Sequence, residues 1–153
     1  MNLQKLSQAF VRTECGASLA ELALVTPFLL LLMLGAVDFG RAYFTATEVA
    51  GAAHAGALYG SSSPTDTTGM QAAATSDAPD IPNLTVPTPT YGCECSDGTG
   101  FSASCSSTPA CVNNVVYRVT VTASATYKSW FPWPGVPSTI TLSRTAVMRS
   151  GGS

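Results

Sequence analysis

The sequence predicts an α+β chain. One long amino-terminal helix lies in a membrane over its first half and packs on a small antiparallel sheet over its second. Three observations carry this. Residues 22–37, LALVTPFLLLLMLGAV, are sixteen positions without a charge, and the stretch after them is rich in alanine and free of proline as far as Gly60. Residues 115–127 alternate between two faces, which is the period of a half-buried strand. Residues 138–149 repeat that alternation after a turn rich in proline and aromatics.

Sixteen helical residues reach about 24 Å at 1.5 Å each, slightly less than the ~30 Å of a bilayer core. Extension back to Ala17 gives twenty-one residues, or about 31 Å, and takes in Glu21. A carboxylate at that depth is costly and needs a partner or a function. An ordinary secretory signal has a shorter charged lead, no acid at the edge of its apolar run, and a cleavage site behind it. Here the lead is long, Glu21 stands at the edge, and the pattern continues as DFGRAYFTATEVAGAAHAGALYG. Leu34-Gly35-Ala36 is the one small-residue site at which such a signal would be cut, leaving a chain that starts at Val37. The pattern therefore predicts one helix from about Ala17 to about Tyr59. Pro27 removes a backbone bond and is expected to bend that helix or loosen a turn, which neighbouring helices tolerate. Lys5 and Arg12 precede the run with Glu14 opposing them; Asp38, Arg41 and Glu48 follow it. The positive-inside rule then places residues 1–16 in the cytoplasm and the remainder outside. Asp38 and Arg41, three apart on a helix, are expected to pair at the membrane edge.

The segment Cys15-Gly16-Ala17-Ser18-Leu19-Ala20-Glu21, followed at once by the apolar run, resembles the class III signal of type IV pilins and pseudopilins. Glu21-Leu22-Ala23-Leu24-Val25-Thr26-Pro27 and Gly35-Ala36-Val37-Asp38-Phe39-Gly40-Arg41-Ala42 resemble most closely the TadE-like minor pilins of tight-adherence (Tad, or Flp) systems. Leu22 stands where phenylalanine is more usual there, and Glu14 and Cys15 replace basic residues. The resemblance implies that a prepilin peptidase cuts between Gly16 and Ala17 on the cytoplasmic side. The cut would free an amine on Ala17 and make Glu21 the fifth residue of the mature chain. Glu21 then lies one helical turn from that amine, and its pairing with the amine of its own or a neighbouring subunit would set register during assembly, offsetting the cost of a charge in lipid. The implied organisation is a leader of residues 1–16, a transmembrane part of 17–37, an extracytoplasmic helix extension of 38–60, and a small pilin-like head of 61–153.

Within that head, residues 61–64, SSSP, are expected to break the long helix. Residues 66–76 read as a short second helix interrupted by Gly69. Pro79, Pro82, Pro87 and Pro89 restrict any strand in 77–92 to a sheet edge. In the first long strand Val115, Tyr117, Val119, Val121, Ala123, Ala125 and Tyr127 share one face, and Val116, Arg118, Thr120, Thr122, Ser124 and Thr126 the other. In the second, Ile140, Leu142, Ala146 and Met148 point inward, with Arg144 the exception. A hairpin across residues 128–137, KSWFPWPGVP, joins the two. Its Trp130, Phe131 and Trp133 either fold back to cap the sheet or form a contact surface for another subunit or the membrane.

Cys15 falls in the leader; Cys93, Cys95, Cys105 and Cys111 fall in the loop 93–111, CECSDGTGFSASCSSTPAC. Outside a membrane an even set reads as two disulfides. A Cys93–Cys95 ring would be strained, which leaves 93–105 with 95–111, or 93–111 with 95–105. A four-thiolate zinc site is disfavoured because the spacing lacks C-x2-C knuckles. Asp77, Asp80, Glu94 and Asp97 lack the spacing of a calcium loop and read as solvated loop acids. His54 reads as a surface residue of the helix extension, and Asn83-Leu84-Thr85 is a glycosylation sequon by pattern only.

The chain has 153 residues, 46% hydrophobic and 10% charged, with a net charge of −2; a soluble domain usually carries about 25% charged residues. No basic field exists to gather phosphates, so nucleic acid is not an expected partner. With one histidine and no Walker, Rossmann or H-E-x-x-H motif, no enzyme, cofactor or metal is expected. The resemblance implies a structural minor pilin or pseudopilin that supports assembly of a Tad-type pilus for adhesion or secretion. Its implied partners are other pilin subunits through the amino-terminal helix, the prepilin peptidase, the inner-membrane Tad assembly machinery and the membrane. Its implied place is the bacterial inner membrane, crossed once with the amino terminus cytoplasmic, and the cell surface or pilus after assembly. The alternative is a signal-anchored extracytoplasmic binding or adhesin protein, uncut at Gly16, with the aromatic loop as its ligand site.

Overall fold

The computed structural model describes residues 14–106 and 110–151, with side chains described from residue 18 onward. Most of the expected leader, residues 1–13, lies outside the described residues. The chain divides into two compact units, Met1–Gly40 and Arg41–Ser153.

Helix α1, Glu14–Ser62, is continuous and reaches beyond both expected ends. Ser61 and Ser62 belong to it rather than breaking it. Its last turn closes with the Ser63 N–H donating to the Tyr59 carbonyl at 3.1 Å. Pro64 follows, and the residue before a proline is pushed out of helical geometry. In the second unit one face of α1 is small and buried: Val49, Ala52, Ala53 and Ala57 are each no more than 1% exposed. Their spacing follows the helical period, and His54 lies on the exposed side, as expected.

Helix α2, Thr67–Asp77, is unbroken, which corrects the expectation that Gly69 interrupts it. The carboxylate of Asp66 caps the helix by accepting from the Gly69 N–H at 2.9 Å. The Tyr59 ring and the Asp66 carboxylate occupy the space a side chain at position 69 would need, so the glycine serves close approach. Met70 and Ala74 are the buried face of α2, and the Gln71 amide donates to the Val86 carbonyl at 2.8 Å.

The sheet is antiparallel with order β1-β2-β3: β1 is Thr90–Cys95, β2 is Val115–Lys128 and β3 is Thr139–Ser150. β1 is an edge strand, as the prolines require, and starts directly after Pro89. Thr85 already pairs with Ser124 of β2; Pro87 and Pro89, which lack an N–H, interrupt the ladder before β1 resumes it. Register pairs Tyr91 with Val119 and Cys95 with Val115 on one side, and Val121 with Ala146 and Thr126 with Thr141 on the other.

The core lies between α1, α2 and the inner face of β2. One cluster holds Val49, Ala52, Ala53, Ala78, Ile81, Ala123 and Ala125; the other holds Ala57, Met70, Val119 and Val121. Alanines on both sides bring α1 close to the sheet. A side-chain carbon at Gly60 would come within 2.8 Å of Val119, and one at Gly56 within 3.0 Å of Val121. β2 therefore runs against the direction of α1. Each fully buried valine contributes about 1.5–3 kcal/mol, so this seam holds the second unit together. β3 has no strand beyond it and is less covered: Leu142, Ala146 and Met148 are half-buried, while Ile140, expected inward, is 39% exposed. Arg144, the charged exception on the inward parity of β3, is exposed. The outer face of the sheet is a hydroxyl array in which Ser124 faces Ser143 and Thr122 faces Thr145, the two threonine hydroxyls lying 2.9 Å apart.

Candidate functional site

In the first unit α1 is apolar on all sides. The stretch Ser18–Ser62 contains a window long and apolar enough to cross a membrane, of which only 6% is buried. Leu24, Phe28 and Leu32 are 67–70% exposed. The core helix of a soluble protein hides such a surface; one that is bare all round needs lipid or other helices as its solvent. The helix is thus compatible with a single-pass membrane anchor. Glu21 sits exposed at its beginning. Pro27 lies inside the helix, where it removes the N–H that would reach the carbonyl four residues back. One residue earlier, the Thr26 hydroxyl donates to the Leu22 carbonyl at 2.6 Å. The backbone of Gly16 and Ala17 is helical within α1; their side chains lie outside the described ones.

Asp38 is shielded, at 7% exposure, near the end of the first unit. Arg41 opens the second unit, and the structure gives it partners that the sequence reading did not name. Its guanidinium carbon lies 3.6 Å from the centre of the Trp130 ring and 5.7 Å from that of Tyr127. At these distances the cation meets the negative face of the aromatic systems.

The hairpin loop at residues 129–138 is folded, not loose. The Ser129 N–H donates to the Ser138 carbonyl at 3.0 Å, Trp133 to Phe131 at 2.9 Å, and Val136 to Trp133 at 3.1 Å. Gly135 takes a positive φ of 79°, which a residue with a side chain adopts only under strain. The rings of Phe131 and Trp133 are 5.6 Å apart. Yet the loop does not cap the sheet: Trp130 is 73% exposed, Phe131 49% and Val136 45%.

The cysteines form two bridges, Cys93–Cys105 and Cys95–Cys111, the first of the two expected pairings. Cys93 and Cys95 lie on β1 rather than in a loop, and only their partners lie in the segment beyond it. That segment folds back along the free edge of β1. Cys93 and Ser102 exchange backbone bonds of 2.8 and 2.7 Å, and the Cys95 N–H donates to Thr99 at 2.9 Å. Gly92 admits this approach, because a side-chain carbon there would come within 2.7 Å of the Phe101 ring.

Glu94 corrects a sequence expectation. It is not a solvated loop acid: it lies on β1 at 1% exposure. One carboxylate oxygen accepts from the Arg149 guanidinium, and the other is 3.5 Å from Arg118. Arg118 and Arg149 face each other across β2 and β3, and Arg118 also lies 5.4 Å from the Phe101 ring. Two like charges directly opposed on a sheet are destabilising, and Glu94 offsets that. The signal available in the sequence was two arginines on the outward faces of neighbouring strands with no acid assigned to either. Asp97 is exposed as expected; bonds from the Thr99 N–H and hydroxyl hold its carboxyl below the usual range. Among the described residues no group of histidine, cysteine, aspartate and glutamate could hold a metal ion.

No curated protein and no solved structure matches the chain. A family model does match, under the description TadE-like protein, over residues 16–58. The matched stretch begins at Gly16, takes in Glu21, Pro27, Asp38 and Arg41, and ends within α1; the sheet lies outside it. Over residues 16–58, most of α1, the chain is thus similar to the TadE-like family.

Proposed function

We propose that the chain is a minor pilin or pseudopilin of a Tad-type pilus, a structural subunit and not an enzyme. One observation carries this reading: an apolar helix bare on every side coincides with the TadE-like match and begins at the glycine-to-glutamate spacing of residues 16–21. In this reading a prepilin peptidase cuts after Gly16, and the chain crosses the bacterial inner membrane once with its amino terminus in the cytoplasm. The head stands outside, where its two disulfides persist. The freed amine of Ala17 lies one turn from Glu21, and their pairing within or between subunits offsets the cost of a charge in lipid. The exposed leucines then pack on other pilin helices when the chain leaves the membrane for the Tad assembly machinery.

The test is the intact mass and amino-terminal sequence of the protein taken from membranes of cells with and without prepilin peptidase. A chain beginning at Ala17 only when the peptidase is present is the expected result. A chain that keeps its leader in both cells would reduce the protein to an anchored binding protein. A chain beginning at Val37 would make it a secreted domain released by an ordinary signal peptidase.

A further inference from the structure

The two edges of the sheet are finished differently. Along β1 a segment of the same chain already takes the outer place. Cys93 and Ser102 exchange backbone bonds, the Cys95 N–H donates to Thr99, and the bridges to Cys105 and Cys111 pin that segment down. β3 is the last strand on the other side, and among the described residues no backbone bond reaches its outer edge. The register shows which of its groups face outward. Ser143 stands opposite Ser124, whose N–H and carbonyl both go to Thr85, at 2.9 and 2.8 Å. Bonded and non-bonded pairs alternate along an antiparallel ladder. Thr141, Ser143, Thr145 and Val147 therefore turn their N–H and carbonyl groups away from β2, while Leu142, Arg144 and Ala146 turn theirs toward it. Pairing runs without a bulge from Thr139 to Ser150, and the strand holds no proline. An even row of this kind is a template for one more strand.

Arg144 stands in the middle of the row. Its guanidinium folds back and donates to the outward carbonyl of Ser143 at 3.1 Å. Arg118 and Arg149 share Glu94, but among the described residues no carboxylate lies within ion-pair distance of Arg144. β3 carries two arginines and no acid, so a second copy laid edge to edge would bring like charges together. A strand with a carboxylate opposite Arg144 meets the reverse condition. The same face of β3 presents Ile140, 39% exposed, and half-buried Leu142, Ala146 and Met148, which suit apolar residues at the alternate positions of such a strand.

We propose that the outer edge of β3 takes up an extended segment of a partner protein as a fourth strand, and that Arg144 selects a carboxylate on that segment. On entry Arg144 leaves the Ser143 carbonyl to a partner N–H and turns to the carboxylate beside it. Backbone bonds along the row supply affinity, and apolar side chains alternating about one acid supply specificity. The inference goes beyond the function proposed above and does not depend on α1 crossing a membrane, because every group in it belongs to the second unit.

The full chain in detergent micelles is titrated with short blocked peptides that alternate threonine and valine, with glutamate, glutamine or lysine in place of the central valine. The amides at the valine positions are N-methylated, which leaves the threonine amides for β3 and prevents fibres. Amide exchange is the readout. With the glutamate peptide, exchange is expected to slow at Thr141, Ser143, Thr145 and Val147, in alternation with Leu142, Arg144 and Ala146, which β2 protects already. The glutamate peptide should bind about fivefold more tightly than the glutamine peptide, and the lysine peptide more weakly than either. Arg144→Gln should lose the preference and Arg144→Glu should reverse it, while continued protection of residues 119–125 shows that the sheet is intact. No slowing along the row at saturating glutamate peptide overturns the proposal. So does equal affinity for the glutamate and glutamine peptides, or an order unchanged in Arg144→Glu. Slowing that appears without peptide and grows with protein concentration would mean that a second copy occupies the edge, and overturns it as well.

Discussion

Glu94 is the residue whose removal has the clearest expected effect. It is enclosed and holds two arginines that face each other across the sheet. Glu94→Gln keeps the shape but removes the charge between them. Both arginines retain access to water, at 35% and 53% side-chain exposure, so the penalty stays below that of a fully buried broken pair. A loss of about 1–3 kcal/mol is expected, read from urea denaturation of the two proteins side by side. Asp66 is the residue whose effect depends on pH. The Gly69 N–H, then the Tyr59 hydroxyl, hold its carboxyl below the ordinary range, and the same contact raises the Tyr59 phenol. A lowered folded pKa means that the unfolded chain binds the proton first. The contribution of this cap is full above the ordinary carboxylate range and is lost as pH falls through the lowered value. Amide exchange at Gly69 and Met70 should quicken over that acid window. Asp66→Asn, which still caps a helix but does not titrate, should abolish the dependence; a variant that keeps it would place its origin elsewhere. Neither role was legible in the sequence. A capping aspartate and an enclosed glutamate are the same letters as solvated acids; the start of α2 at Thr67 marks the first, and the register of β1 against β2 the second.

At the scale of the elements, two glycines on α1 should behave oppositely. Alanine in place of glycine favours a helix by about 0.5–1 kcal/mol. At Gly51 the new carbon would meet only the Asp77 carboxylate, at 2.9 Å; Asp77 is exposed and can swing away. At Gly56 it would meet the Met70 carbonyl at 2.9 Å, Val121 at 3.0 Å and Ala74 at 3.1 Å, none of which can move without parting α1 from α2 and β2. Overpacking of that kind costs about 1–3 kcal/mol, more than the helix gains. Gly51→Ala should therefore raise the melting temperature slightly and Gly56→Ala should lower it. The strands themselves were legible because alternation is a direct image of a half-covered face: β2 was expected over residues 115–127 and is found one residue longer. The end of α1 was not, because serines are tolerated in a last turn until Pro64 stops it. Ile140 was read inward from parity alone, and parity says nothing of how far α1 and α2 extend over an edge strand.

For the whole molecule, the position of the two disulfides decides what reduction does. The bridges close separations of 12 and 16 residues, each worth about 3 kcal/mol in the chain-entropy account. Both lie within residues 93–111, and neither ties α1 to the sheet. Reduction should lower the melting temperature, yet at moderate temperature it should open the β1 edge first. Amides of Cys93 and Cys95 are expected to exchange in the reduced protein while those of residues 119–125 stay protected; simultaneous loss of both sets would refute this order. The plan of a helix on an antiparallel sheet was legible from periodicity, and the anchor from the uncharged run. The stacking of Trp130 on Arg41 was not, because it depends on β2 running against α1, which only long-range packing fixes.

The hydroxyl array on the outer face of β2 and β3 has a consequence for any surface that would be laid against it. Over Thr122, Ser124, Thr126, Thr141, Ser143 and Thr145 this surface is wetted by neutral groups. Charge-mediated contacts fade once ions shorten the screening length, which is about 8 Å at physiological salt. Neutral hydroxyls carry no such sensitivity. A surface apposed to this face would keep its affinity from fresh water to brine, and its spacing would answer to shape and hydration rather than to the salinity of the surroundings.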